Sequence, residues 1–425
     1  MSEPRVGEEP RLAGPVDIDI DPLDLVDATR FARHGYPHHV WTKLRAEAPV
    51  AYIEPPGHPP FWAVTKHEDI VQVATQPLLY SSSQGITLDM DLSGMDVVPE
   101  MIVYLDPPRH GPLRSVVNKK FLKSAVRSRS EEIERIATEI VDAAATGGAI
   151  DECDFADTFA AQFPVAVISW MLGVPKADWE HHFRWTNEVI GKEDPEYRQP
   201  GETPDQTAMR ARGEIHRYFK GMVKDRREHP QDDLVSQLVQ SEIDGVPLNQ
   251  AQLISYCELL VEAGNQTTRD AIAGGMAAFC EHPDQWEKLR ARPELLGDAV
   301  EEILRWVTPI AYFSRTATQD YELGGQTIRA GDKVALYWAS ANRDEDVFED
   351  PLEFRIDRPL PNQHLVFGFG PHLCMGAHVA RVELAAMFGL LSSRMDFFEQ
   401  SGPLERLNSS VNGAIKHLPI RYRLT

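Results

Sequence analysis

The chain has 425 residues, 42% of them hydrophobic and 25% charged, which supplies enough apolar material for a large core. A formal net charge of −22 argues against nucleic acid as a partner, because binding phosphates requires a basic surface, and it favours solubility instead. Four widely separated cysteines, Cys153, Cys257, Cys280 and Cys374, indicate reduced thiols rather than a disulfide framework.

No run of eighteen apolar residues occurs, and Met1–Arg5 lacks a signal-peptide pattern, so a cytoplasmic protein without a membrane anchor is expected. Residues 1–20 are rich in proline, glycine and acids and predict a disordered N-terminus. Length alone suggests two or three domains. No linker, repeat or low-complexity block divides the chain beyond residue 20, so one domain over 21–425 is expected.

Helical periodicity runs from Ala28 to Ala48. Val50–Ile53 and Phe61–Val64 predict a β-hairpin, and a short helix comes next over Lys66–Thr75. Ser81–Glu100 reads as a long loop, a feature often tied to function. Pro107-Pro108 opens a helix that sets His110 and Arg114 one turn apart on one face. From Arg109 to Arg129 there are seven Lys/Arg and no acid, which suits a solvated basic helix or a docking patch for an acidic protein. Helices are expected over Glu131–Ala145 and Asp154–Leu172, then two more flanking the polar loop Gly191–Gln206, then a connector over 229–250.

A long helix spans Asn249–Cys280. Gly264 in its middle costs about 1 kcal/mol relative to Ala, which implies a close neighbour or a kink. Thr267 can donate its hydroxyl to the Ala263 carbonyl one turn back, bending the helix and opening a groove. Glu302 and Arg305 form an i, i+3 pair that by itself is an ordinary surface feature. Phe313–Ala317 predicts a strand, Tyr321–Ala341 a small sheet and Ala377–Met395 a helix. Asn412–Ile420 reads as a tight hairpin with Pro419 at a strand edge.

The clearest chemistry lies in Phe367-Gly368-Phe369-Gly370-Pro371-His372-Leu373-Cys374-Met375-Gly376. Its glycines let backbone approach a flat ligand closely. Amide N–H groups at the start of the next helix favour thiolate over thiol, the form that grips haem iron. Taken alone, Cys374 is equally a small buried hydrophobe, or one member of a zinc set with His372 and His378 that lacks a second ligand pair.

The complete pattern, Phe-x-x-Gly-x-x-x-Cys-x-Gly, resembles the haem-binding loop of the cytochrome P-450 monooxygenases, and the likeness extends from about Val50 to the C-terminus through five signatures in order. It implies a mainly α protein with a small β-rich region in the family's single triangular fold. By resemblance, Cys374 is the axial ligand of haem b, with Phe367, Gly368 and Gly376 around it. His110, Arg114, Arg315 and His372 hold the haem carboxylates. Glu302 and Arg305, with Arg358 of the Pro-x-x-Phe-x-x-x-Arg segment, form a structural cluster that fixes the cysteine loop. The helices around Gly191–Gln206 are similar to the family's lid over the substrate channel.

In the long helix Ala263, Gly264, Thr267 and Thr268 match the motif Ala/Gly-Gly-x-acid-Thr-Thr, but Gln266 stands where the acid belongs. An amide orients water and does not titrate. Glu262, four residues earlier, is the candidate stand-in, so Thr267, Gln266 and Glu262 are the expected catalytic residues. The implied activity is insertion of one oxygen atom from O2 into a C–H bond of a hydrophobic substrate. Electrons are expected from a ferredoxin-type donor with its NAD(P)H-dependent reductase, because neither a Rossmann glycine pattern nor an iron–sulfur cysteine cluster is present.

The runs Ala-Gly-Asn-x-Thr-Thr-Arg and Asn-Gly-x-x-Lys-x-Leu-Pro resemble those of bacterial members acting on sterol side chains, terpenoids or aliphatic chains. Leu88, Val261, Ala263, Ile310, Val411 and Ala414 are the expected pocket residues, and a monomer is expected. Two alternatives remain: a peroxide-driven or reductase-type haem-thiolate enzyme, and a non-catalytic haem sensor. The retention of Thr267 counts against the sensor.

Overall fold

Helix Gln250–Glu281 is the longest element in the computed structural model, which describes residues 18–93, 100–359 and 363–425. At 1.5 Å per residue its 32 residues extend about 48 Å. A capping box starts it: Asn249 Oδ1 accepts from the Gln252 N–H at 3.0 Å, and Gln252 Oε1 accepts from the Asn249 N–H at 2.9 Å. From Thr268 to Phe279 it is buried on every side, packed by helices Gln162–Leu172, Trp179–Ile190, Pro204–Glu228, Leu296–Val307 and Ala377–Arg394. The mid-helix glycine marks a close neighbour: a Cβ on Gly264 would lie 3.1 Å from Ile168 of helix Gln162–Leu172.

The largest apolar cluster surrounds this helix, and two smaller clusters lie on either side of a five-stranded sheet. That sheet runs in the spatial order Val50–Ile53, Phe61–Val64, Lys333–Leu336, Phe313–Ala317, Tyr80–Ser81. The first two strands form the expected antiparallel hairpin, with Val50 opposite Val64. Lys333–Leu336 runs parallel to Phe61–Val64 and antiparallel to Phe313–Ala317. The result is mainly α with a small β-rich side, as expected. Among the described residues no helix is long and apolar enough to cross a membrane.

Several local expectations need correction. The helix expected over 28–48 is two helices, Ala28–His34 and His38–Glu47, because Pro37 supplies no N–H and disfavours helical geometry at Tyr36. Asp151–Asp154 is a strand, not a helix start, and it pairs with Pro419–Tyr422. A wide turn over Ala156–Ala161 then leads into helix Gln162–Leu172. Helix Leu234–Val239 and a two-residue-strand hairpin fill the connector at 229–250. The C-terminal hairpin is not self-paired: Ile415–His417 pairs with Glu405–Arg406, and Pro419–Leu424 is the middle strand of a three-stranded sheet. Residues 1–17 of the expected disordered start, and 94–99 of the expected long loop, lie outside the described residues. Ile18 and Ile20 pack against one of the smaller clusters.

Candidate active site

Cys374 sits in a turn-rich loop immediately before helix Ala377–Arg394. Its N–H donates to the Phe367 carbonyl at 2.8 Å, and the Leu373 N–H donates to Gly370 at 3.1 Å, so the loop closes on itself. Gly368 has a φ of 69°, a left-handed geometry that other residues resist, and the nearest atom to a Cβ placed there is 3.9 Å away. Cys374 keeps accessible surface, yet the protein packed around it displaces enough water that desolvation pushes its thiol pKa up. The N–H groups of Gly376 and Ala377, and the guanidinium groups of Arg114 and Arg381, act in the opposite direction and favour thiolate. His372, Cys374 and His378 do not form a metal cluster. The one compact trio of metal-ligand types among the described residues is Asp154, Asp157 and His417, far along the chain, with Lys416 and Arg269 already neutralising acids around it.

Four basic side chains line one edge of this loop. Arg114 Nη2 donates to the Leu373 carbonyl at 2.6 Å, and the His110 and His372 rings lie 4.3 Å apart. Arg315 is 6% exposed, donates to the Ser314 carbonyl at 2.7 Å, and makes no ion pair among the described residues. Burial lowers its pKa to about 10, against the pull of Asp106. His372 is held neutral, with a pKa of about 2, by burial first and then by Arg315, His110 and Arg114. Charged groups buried without partners are costly, so this cluster fits a ligand that brings its own carboxylates.

The long helix supplies the other wall. Ala263 and Thr267 keep accessible surface, and Thr267 Oγ1 donates to the Ala263 carbonyl at 3.0 Å as expected. Thr268 is hydrogen-bonded to Glu383 on the cysteine helix, a carboxyl whose pKa burial lifts to about 8. Gln266 is buried, and its Nε2 donates to Asp270 Oδ1 at 2.7 Å. Glu262 does not turn toward Gln266: its carboxylate lies 3.5 Å from Arg212 and beside Glu258, about 140° around the helix from Thr267. Burial raises its pKa. Leu88, Ile310 and Val411 keep accessible surface, and the bridge between Ile310 and Asn412 sets Ile310 beside Val411. Val261 and Ala414 are corrected: at 0% and 1% exposure they belong to the packed core and offer no surface to a pocket.

A match to the family described as Cytochrome P450 spans residues 26–422. The chain belongs to that family. It is 35% identical over 413 residues to a steroid C26-monooxygenase of Mycolicibacterium smegmatis, covering 94% of this chain and 93% of the relative. It is 36% identical over 421 residues to a methyl-branched lipid omega-hydroxylase of Mycobacterium bovis, covering 96% and 95%. The crystal structure of CYP108D1 from Novosphingobium aromaticivorans superposes with a TM-score of 0.85 at 31% identity, over 95% of this chain and 98% of that one. This cytochrome P450 is therefore a monooxygenase, an oxidoreductase, and its family implies a haem iron cofactor.

Two ion clusters fix the P450's cysteine loop, one expected and one not. In the expected cluster Glu302 accepts from Arg305 Nε at 2.7 Å and from Arg358 Nε at 3.0 Å, all three side chains being at most 2% exposed. Arg305 also donates to the Asn342 and Pro351 carbonyls at 2.9 Å, and Asn342 Oδ1 accepts from the Leu365 N–H at 2.6 Å, two residues before Phe367. The unforeseen cluster is next door. Glu301 binds Arg381 Nε at 2.5 Å and His364 Nε2 at 2.9 Å, and the Arg381 guanidinium lies 4.5 Å from the Phe367 ring centre. Burial opposes ionisation of Glu301, yet His364 and Arg381 hold its pKa down to about 2. Glu301 and Glu302 are adjacent on the helix and face different partners, and nothing local in the sequence names those of Glu301.

Proposed function

We propose that this P450 binds haem b through the Cys374 thiolate and hydroxylates the terminal methyl of a branched aliphatic chain carried by a steroid or lipid. The observation that carries the reading is Cys374 at a helix start, two residues after His372, around which His110, Arg114 and Arg315 gather with no ion pair to Arg114 or Arg315 among the described residues. Those four would hold the two haem carboxylates, while Phe367, Gly368 and Gly376 leave room for the ring. A thiolate-bound haem supplies the oxygen-activating power needed to attack an unactivated C–H bond.

The chain's own residues orient, dehydrate and supply protons. Thr267 presents its hydroxyl on the accessible face of the long helix, one turn from Ala263, whose small side chain leaves room for a chain end. Ile310, Val411 and Leu88 provide the apolar wall. Glu262, paired with Arg212 on the lid helix Pro204–Glu228, is assigned to holding the lid rather than to proton delivery.

Substrate choice follows two relatives, a steroid C26-monooxygenase and a methyl-branched lipid omega-hydroxylase, of which the second acts by name at a chain end. A terminal methyl has stronger C–H bonds than the branch point beside it, so selectivity must come from positioning. The test is incubation with a side-chain-bearing steroid ketone and a methyl-branched fatty acid under labelled dioxygen. A terminal hydroxyl carrying one labelled atom supports the reading. Oxidation confined to the ring system or to interior carbons overturns it.

Electrons are assigned to a ferredoxin-type protein docking outside Cys374. Lys119, Lys120, Lys123 and Arg127 form no ion pair among the described residues, and Leu122, Phe369 and Leu373 are 47%, 42% and 44% exposed nearby. Charge around an apolar patch suits a transient acidic partner. Gln266 in the acid's position keeps peroxide-driven turnover as a second reading. Product with hydrogen peroxide alone, and none with electron donors, is its signature.

A further inference from the structure

We propose that Asp270 is the proton-relay carboxyl of this site, displaced one helical turn from position 266 and connected to it through the Gln266 amide. The inference rests on the haem-thiolate reading and names the residue that completes it. Each turnover takes one O2, two electrons from the donor and two protons, and yields one hydroxyl group and one water. The protons must cross a buried region, and Gln266 has none to give.

Along the helix Asp270 lies midway between Gln266 and Gly274. Gln266 lies one turn before it and donates to Oδ1 at 2.7 Å, next to Thr267 on the accessible face. Gly274 lies one turn after it and floors a cleft of about 390 Å³, shared with Tyr36, His38, Arg343 and Gly413. Each four-residue step along a helix is about 6 Å, so the carboxyl stands about one step from each of them. Asp270 itself is 1% exposed, and its Oδ2 is buried with no partner among the described residues. A buried carboxylate oxygen left unpaired is costly, whereas a protonated one is a poised donor.

The groups facing Asp270 are consistent with a neutral acid. Arg269 on the same helix favours ionisation but is turned to Asn187 and the Lys416 carbonyl, at 3.2 and 3.1 Å. Tyr36, from the segment between the first two helices, faces it from the cleft and donates its own hydroxyl to the Thr308 carbonyl at 2.6 Å. Arg343 lies beyond that phenol. Burial outweighs Arg269 and Gln266 and lifts the Asp270 pKa to about 8. In this arrangement Asp270 gives its proton to water ordered by Gln266 and Thr267, and regains one from water in the Tyr36 cleft.

The experiment compares the full-length wild type, Asp270→Asn and the double variant Gln266→Glu/Asp270→Asn, each loaded with haem. Infrared difference spectra between pH 6 and pH 9 are expected to show a buried carboxylic-acid band in the wild type that is missing in Asp270→Asn. With a methyl-branched fatty acid as the probe, product formed per electron pair is expected to fall about tenfold in Asp270→Asn, with peroxide released, and to recover in the double variant. Coupling in Asp270→Asn equal to wild type, or a double variant no better than the single one, overturns the relay. Loss of the thiolate spectrum in the wild type would instead strike the haem reading itself, so the two failures are distinct.

Discussion

Arg315 carries a cost in the bare protein that only a ligand can recover. Its guanidinium is buried in a sheet strand with one backbone acceptor and no ion pair among the described residues. Replacing such a group by an apolar side chain removes a desolvation penalty worth about 1–4 kcal/mol. Arg315→Leu is therefore expected to raise the denaturation midpoint of the haem-free protein. In the haem-loaded protein the same change removes a charge-assisted bond, weakening haem retention about tenfold. Haem transfer to an acceptor protein and thermal unfolding measure the two effects, and their opposite signs separate a ligand-holding arginine from a structural one. Asp270 was within reach of sequence reasoning: it lies four residues beyond Gln266, the spacing at which helix side chains meet. Glu262 sits four residues on the other side at the same spacing, and only the fold shows that Arg212 claims it.

At the scale of elements, helix Leu296–Val307 positions the cysteine loop through two adjacent acids. Glu302→Gln leaves Arg305 and Arg358 buried against a neutral partner, an expected loss of about 3–5 kcal/mol read by urea unfolding. Glu301 gives a pH signature. Its folded pKa of about 2 lies below the ordinary value of 4.5, so the folded state binds fewer protons than the unfolded state in between. Its contribution is full above pH 4.5 and is lost as pH falls toward 2, on the order of 3 kcal/mol in total. Glu301→Gln is expected to flatten the stability profile across that window, measured by urea midpoints at each pH. This cluster was illegible in the sequence because Glu301 meets partners 63 and 80 residues away. The strand Asp151–Asp154 was missed for the same reason, since its ladder lies at the C-terminus. The hairpin at Val50–Val64 and the long helix, by contrast, rest on local pattern and capping and were readable directly.

For the whole molecule, an acidic chain with one basic stretch gives the proposed acidic donor a direction of approach. The net charge is −22, yet Arg109–Arg129 contains no acid, and six of its seven cations stay free of ion pairs among the described residues. Reversing Lys119, Lys120 and Lys123 to Glu is expected to slow reduction by a ferredoxin-type donor at least about tenfold at low salt, with the difference shrinking as salt rises. Rapid-mixing reduction rates at two ionic strengths decide it, and unchanged rates would remove the docking assignment. In the proposed function the haem, the oxidant and the relay all depend on the sulfur of Cys374. The spectrum of the haem-loaded, reduced protein under carbon monoxide reports that ligand directly. Thiolate ligation predicts the long-wavelength absorption band of a thiolate-bound haem, lost in Cys374→His. A wild-type band characteristic of nitrogen ligation, or a spectrum unchanged by that substitution, would contradict it.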